Sequence, residues 1–421
     1  MKKTWPVIFL FIAIPGIPAS LFRARLIDFV NSTPVLSVTP MPQWTILEKI
    51  IEAKQLLQGI HLKIGTQEIA YIEDRIAQSS LGGINTSKKS LKEVEKEIAL
   101  AALNLDTGQI KILIIDKKGG DLIAPESWNI EILPRTNGIR WNAWNTSYRV
   151  IEPSGYAVIA NIYPEDRTVT VAQKKGKKTV YIKQQTVDYV TYAPYSPDIH
   201  NADLVQAGKK YMYTVIQNVF SDLKTKGVLS KALPGLISDV FASRSQMFAQ
   251  LPLLENTDPT EFLLDPQHTI ERAEVIIGAN QNEAFGHTCN GSSACGWVQF
   301  TPGTYANIVK SYPTAGLMKD FKTGAADHFN SMKAAILLYD ENLRGLIKSQ
   351  DEKVLNDPKL PEYLAASYNG APTHTYKTLT ASILSAVEDW INALSIKKGG
   401  LKSETQMYLV KLRYLQQNNL P

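Results

Sequence analysis

The chain has 421 residues, 44% of them hydrophobic and 20% charged. That composition can bury a sizeable core, and the length favours two or three domains over one. A formal net charge of +5 suits work near an anionic surface such as membrane, teichoic acid or peptidoglycan. It is too weak an excess to point to nucleic acid, and most of it reads as solvated surface.

Residues 1–25 read as an export signal. Met1-Lys2-Lys3 supplies a positive start, Trp5 to Ile14 an apolar stretch, and Ala19 a small-residue end. Pro15 and Pro18 interrupt the apolar run, which is short for a membrane span. Cleavage and retention both stay open, because Arg23 and Arg25 follow closely. A retained segment would attach the chain to the membrane. In either case the expected location is outside the cytoplasm, periplasmic or otherwise in the cell envelope, where a disulfide persists.

Ser32 to Pro42 is a Ser/Thr/Pro-rich linker. Apolar residues at helical spacing then predict a helix over Trp44 to Leu57 and a second over Leu91 to Leu103, with the loop SSLGGINTSKKS between them. From Gln109 the period changes to two. IKILIID and DLIA, joined by KKGG, predict a hairpin, and WNIEIL, YRVIE, YAVIANIY, RTVTVAQ, KKTVYIK and VDYVTYA predict further strands. The run Lys174 to Lys178 reads as an exposed basic turn. Residues 44–197 therefore form an α+β domain with antiparallel strands, and no catalytic motif is visible in it. Trp128, Trp141, Trp144 and Tyr148 could line a sugar-binding face, but core packing is the favoured reading.

After residue 201 the pattern is helical, giving a second, all-helical domain over 202–418. Its helix TIERAEVIIGANQNE ends at Glu283. A helix C-terminus carries partial negative charge, which raises a nearby carboxyl's pKa, and burial against Phe285 or Trp297 would raise it further. A Glu tuned in that way is what protonating a glycosidic oxygen requires. The plain reading is a surface Glu at a helix end. Glu271 and Glu274, upstream on the same helix, read as solvated, and His287 as a loop histidine. A later helix, Asp327 to Leu346, shows core spacing.

Three further motifs follow in order. They are Gly296-Trp297-Val298-Gln299 with Pro302 and Thr304, Ser367-Tyr368-Asn369-Gly370-Ala371-Pro372, and Glu404-Thr405 with Tyr408. Together with Glu283-Ala284 they resemble the soluble lytic transglycosylase domain, a lysozyme-like fold of the goose type, over about residues 251–415. The family pattern has Ser after the catalytic Glu and Met before the Gln; Ala284 and Val298 depart from it, and the Glu-to-Gln interval is a residue or two short. The resemblance implies peptidoglycan glycan strands as substrate. It implies that Glu283 protonates the oxygen between N-acetylmuramic acid and N-acetylglucosamine, then serves as base for the muramyl C6 hydroxyl, which closes a 1,6-anhydro ring. That hydroxyl is tethered to the reacting centre, so no second carboxylate is needed; no Asp or Glu follows Glu283 until Asp320.

By the same resemblance Gln299 hydrogen-bonds the sugar, Tyr368 orients the Glu283 carboxyl, Asn369 binds glycan or holds the cleft wall, and Gly296 lets backbone approach sugar. Each has a plainer reading: Gln299 bonded to backbone, Tyr368 in the core, Asn369 at a helix end. Pro302 and Thr304 read as structural. Cys289 and Cys295 are expected to form a disulfide that fixes the loop beside Glu283; the alternative of two thiols on a metal lacks ligands, since only His287 is near. No metal or cofactor is expected. A muramidase hydrolysing the same bond and a non-catalytic glycan-binding or assembly protein are the competing readings. For residues 44–197 an adaptor to a cell-envelope secretion or conjugation machine is a further one.

Overall fold

The computed structural model describes residues 44–64, 95–118, 120–133, 143–175, 178–385 and 389–421, with backbone alone for 95, 166–175 and 178–186. The export signal, the Ser/Thr/Pro-rich linker, the SSLGGINTSKKS loop and Trp141 lie outside the described residues. The fold is α+β, and Trp44–Pro421 packs as one compact unit. Strands come first: β1 (Glu95–Asn104), β2 (Ile110–Lys118), β3 (Asp121–Ile123), β4 (Asn129–Ile132), β5 (Tyr148–Glu152), β6 (Tyr156–Lys175) and β7 (Lys178–Tyr192). The main sheet has the order β3-β2-β1-β6-β7, antiparallel throughout, and β4-β5 pair separately.

The segment predicted as a second helix, Leu91 to Leu103, is instead the central strand β1 from Glu95 onward. Ile98 to Leu103 are all fully buried. A strand covered on both faces shows a continuous apolar run, which periodicity cannot separate from a buried helix. Partners on both sides, Ile98↔Ile115 on β2 and Ala99↔Ile162 on β6, override the helix preference of its alanines and leucines. The two pairs of short strands predicted over 156–192 are two long strands. They pair from Asn161↔Tyr192 to Lys175↔Lys178. β6 parts from β1 after Ile162, next to Pro164, which has no N–H to give a ladder. Trp144 and Tyr148 are buried, and Trp128 stands edge-on to Tyr156 at 4.9 Å, so these aromatics pack in the core as favoured.

A helix precedes the sheet, α1 (Ile46–Leu57), started by a reciprocal cap in which Thr45 Oγ1 accepts from Glu48 N and Thr45 N donates to Glu48 Oε2. After Tyr192 the described residues hold helices and loops without a further strand. The helices are α2 (Ala202–Thr225), α3 (Ile237–Phe241), α4 (Ser245–Asn256), α5 (Pro259–Leu264), α6 (Pro266–Asn280), α7 (Pro302–Ser311), α8 (Phe321–Ala326), α9 (His328–Gln350), α10 (Leu360–Asn369), α11 (Pro372–Ser385) and α12 (Ser403–Gln417). Of the stripe that its spacing predicts, α9 buries Met332, Ala335, Ile336 and Tyr339 and leaves Phe329 half-buried. One apolar core runs from Ile50 on α1 through β1 and β6 to Leu415 on α12. None of the described helices is long and apolar enough to cross a membrane.

Candidate active site

The helix that carries Glu283 towards its place, α6, opens with Asp265 accepting from His268 N and with Pro266 in its first turn. It closes at Asn280, short of Glu283. Asn280 bonds Ala193 on both sides, N at 2.8 Å and O at 2.9 Å, and Lys54 Nζ donates to Ala279 O and Asn280 Oδ1, both at 3.0 Å. The β-rich half thus fastens the end of α6. Gln281, at φ 49°, breaks the helix into a 3-10 turn, Gln281–Glu283.

Glu283 leaves that turn into solvent; its side chain is 58% exposed. His287 Nε2 stands 3.8 Å from its carboxylate, an ion-pair distance. The His287 side chain, aided by Lys54 and His328, holds the Glu283 pKa below the usual glutamate value despite partial burial. The raised pKa expected from the helix end and from Phe285 or Trp297 is therefore not found. Trp297 is turned away: it is fully buried, stacks on His328 at 3.9 Å and donates Nε1 to Ser331 Oγ. A carboxyl held ionised is a poor general acid at neutral pH.

The other motif residues meet elsewhere. Gln299, Asn369 and Glu404 line both of two adjoining lobes, of about 260 and 190 Å³, and Tyr368 lines the larger. Glu283 lines neither, and Glu255 lines both. Glu255 is the penultimate residue of α4. Burial pushes its carboxyl up to about 7; the hydroxyl of Tyr408 and the charge of Lys411 oppose the rise, and Glu404 adds to it. The Tyr408 hydroxyl is buried facing this carboxyl without a well-aligned hydrogen bond to any group.

Gln299, at φ 48°, donates Nε2 to Gly296 O at 2.7 Å, and no protein donor reaches its Oε1 among the described residues. Tyr368 donates to Val298 O at 2.6 Å, so it braces the Gln299 turn and does not orient Glu283. Asn369 ends α10 and accepts from Thr405 Oγ1 at 2.9 Å, holding the wall where α10 meets α12. Gly296 serves a different contact from the one expected. Its φ is +77°, and a Cβ there would lie 2.0 Å from the Ala325 carbonyl oxygen, so the close approach is to protein backbone. Cys289 and Cys295 form the expected disulfide, in the loop that runs from Glu283 to this turn. Asn290, Ser292 and Ala294 of that loop form one rim of the larger lobe.

Glu271 pairs with His200 at 3.1 Å and with Gln267. Glu274, expected in solvent, is 1% exposed with burial raising its pKa to about 7, and Lys209 Nζ at 3.7 Å is its counter-charge. Among the described residues no cluster of His, Cys, Asp and Glu is arranged to hold a metal ion.

Glu255, which lines both lobes, was not singled out in the sequence. Its signal was present: FAQLPLLEN is an apolar helical run whose single acid stands at its end, followed by the small polar Asn256. No protein-family model, curated protein or solved structure matches this chain.

Proposed function

We propose that the protein is an exported enzyme that cleaves the β-1,4 bond between N-acetylmuramic acid and N-acetylglucosamine in peptidoglycan, with Glu255 as the general acid. The helical half would then be the lysozyme-like catalytic domain. The observation that carries the reading is the Glu255 carboxyl, half-buried with a pKa near 7, in the cleft that also gathers Gln299, Tyr368, Asn369 and Glu404. A carboxylic acid of that pKa is substantially protonated at neutral pH and still strong enough to donate to a leaving oxygen. Glu255 lines both lobes, which would take sugar units next to a scissile bond. Gln299 Oε1 and the Asn369 amide offer an acceptor and donors at their junction. Having given its proton, Glu255 is a carboxylate able to take the proton of the muramyl C6 hydroxyl as that oxygen closes on C1. The disulfide fits an oxidising compartment outside the cytoplasm.

A second reading has a specific observation in its favour. Glu404 is a second carboxylate lining both lobes, and its charge adds to the rise of the Glu255 pKa. Two carboxylates flanking a cleft suit hydrolysis, with Glu404 assisting water. Digestion of purified sacculi followed by mass spectrometry separates the two. Anhydromuramyl ends, lighter by one water, support the intramolecular route; reducing ends support the muramidase. Intact sacculi after prolonged incubation with folded protein would rule out both.

A further inference from the structure

The C-terminal turn of α4 is held by a group from the far end of the chain. Lys411 on α12 is 6% exposed. Its Nζ donates to Leu254 O, to Thr257 O at 3.0 Å and to Thr257 Oγ1 at 3.2 Å. These acceptors bracket Glu255 in the sequence. Three acceptors need three N–H donors, which an ammonium has and a neutral amine does not. The final carbonyls of a helix also carry partial negative charge, so a cation there is favoured. Glu404, Tyr408 and Lys411 follow one another at four- and three-residue spacing on α12, which places all three on one helix face. Lys411 lines the smaller lobe along with Glu255.

We propose that Lys411 is the positioning residue of this cleft, clamping the end of α4 and holding its positive charge against the Glu255 carboxyl. The role rests on the reading of Glu255 as the acid. It makes α12, the element carrying the Glu-Thr-x-x-Tyr motif, the part of the fold that sets where the acid points and when it is protonated. Glu255 is faced by Glu404, Tyr408 and Lys411 from α12, by Tyr339 from α9 and by Tyr368 from α10. Lys411 is faced by Glu255, by Glu404 and by Asp258 before α5. Burial brings the Lys411 ammonium down to about 8, and Glu255, Asp258 and Glu404 oppose that fall. The ammonium in turn opposes the rise at Glu255.

The test is an NMR titration of the full chain, with carboxyl-labelled glutamate and amine-labelled lysine, alongside the pH profile of glycan cleavage. Lys411→Met keeps the stem and removes the charge. The Glu255 midpoint is expected to rise by about one pH unit, an ordinary size for loss of a nearby opposite charge. The alkaline limb of kcat should move with it. A Glu255 midpoint unchanged in a folded Lys411→Met protein overturns the proposal, even if thermal stability falls, because a purely structural lysine would lower stability alone. Should Lys411→Met fail to fold, the isosteric Glu255→Gln variant gives the reciprocal measurement. There the Lys411 midpoint is expected to drop by about the same amount, since coupling between two sites is mutual; an unmoved midpoint overturns the proposal. Glycan cleavage surviving in Glu255→Gln would instead refute the acid assignment, and the two titrations would still decide the coupling.

Discussion

Replacing Glu255 by Gln keeps the side chain's size and removes its transferable proton. Two effects of opposite sign are expected. General acid catalysis is typically worth 10² to 10⁴-fold, about 3 to 5 kcal/mol of barrier, so kcat on sacculi should fall at least into that range. Stability should rise. The carboxyl goes from an ordinary 4.5 to about 7 on folding, so the folded state binds its proton more tightly than the unfolded chain. A raised carboxyl's contribution is fully present below pH 4.5 and is lost as pH climbs through 7, to the extent of about 3 kcal/mol. Glutamine has no such loss. Urea unfolding of both proteins at pH 5 and pH 8 reads this term together with the change at Lys411, whose titration the substitution also shifts. The variant should gain on the wild type by up to about 3 kcal/mol between the two pH values. A stability difference that does not change with pH would refute the burial argument, and wild-type turnover by Glu255→Gln would refute the catalytic one.

Glu283→Gln should leave turnover within about twofold of wild type, since its carboxyl is exposed and ionised outside the cleft; a loss as large as that of Glu255→Gln would restore Glu283 as the acid. A fragment beginning at Asn201 discards Ala193 and Lys54, the partners of Asn280 and Ala279 at the end of α6, and strips one side of a continuous core. Circular dichroism should show it less cooperative than the full chain, and a sharp native-like melt would mean the helical half folds alone. Gly296→Ala forces a Cβ onto the Ala325 carbonyl at positive φ. Thermal melting should register a loss of more than about 2 kcal/mol, and an unchanged melting temperature would contradict that packing.

Much of the helical half was legible because its motifs fix local geometry. Gln299, Tyr368, Asn369 and Glu404 were singled out by their resemblance to a known family's motifs, and they line one cleft. Glu255 was not singled out because what marks it is burial, and the titratable groups that face it come from α9, α10 and α12, far along the chain. Glu283, standing nearer the glycine-glutamine turn in sequence, ends beside His287 and Lys54 instead. β1 was misread for a related reason. Its Ala/Leu run has helix propensity, and only its two strand neighbours, one of them more than fifty residues away, decide the matter. Short strands and turns flanked by glycine, as in β2 and β3, were read correctly because their signal is local.

Mass spectrometry of the products released from purified sacculi tests the central claim most directly. Wild-type protein near pH 6, where Glu255 is mostly protonated, should release muropeptides ending in 1,6-anhydromuramic acid, and Glu255→Gln should release almost none in the same time. Equal release by both proteins, or none by a folded wild type, would contradict the account.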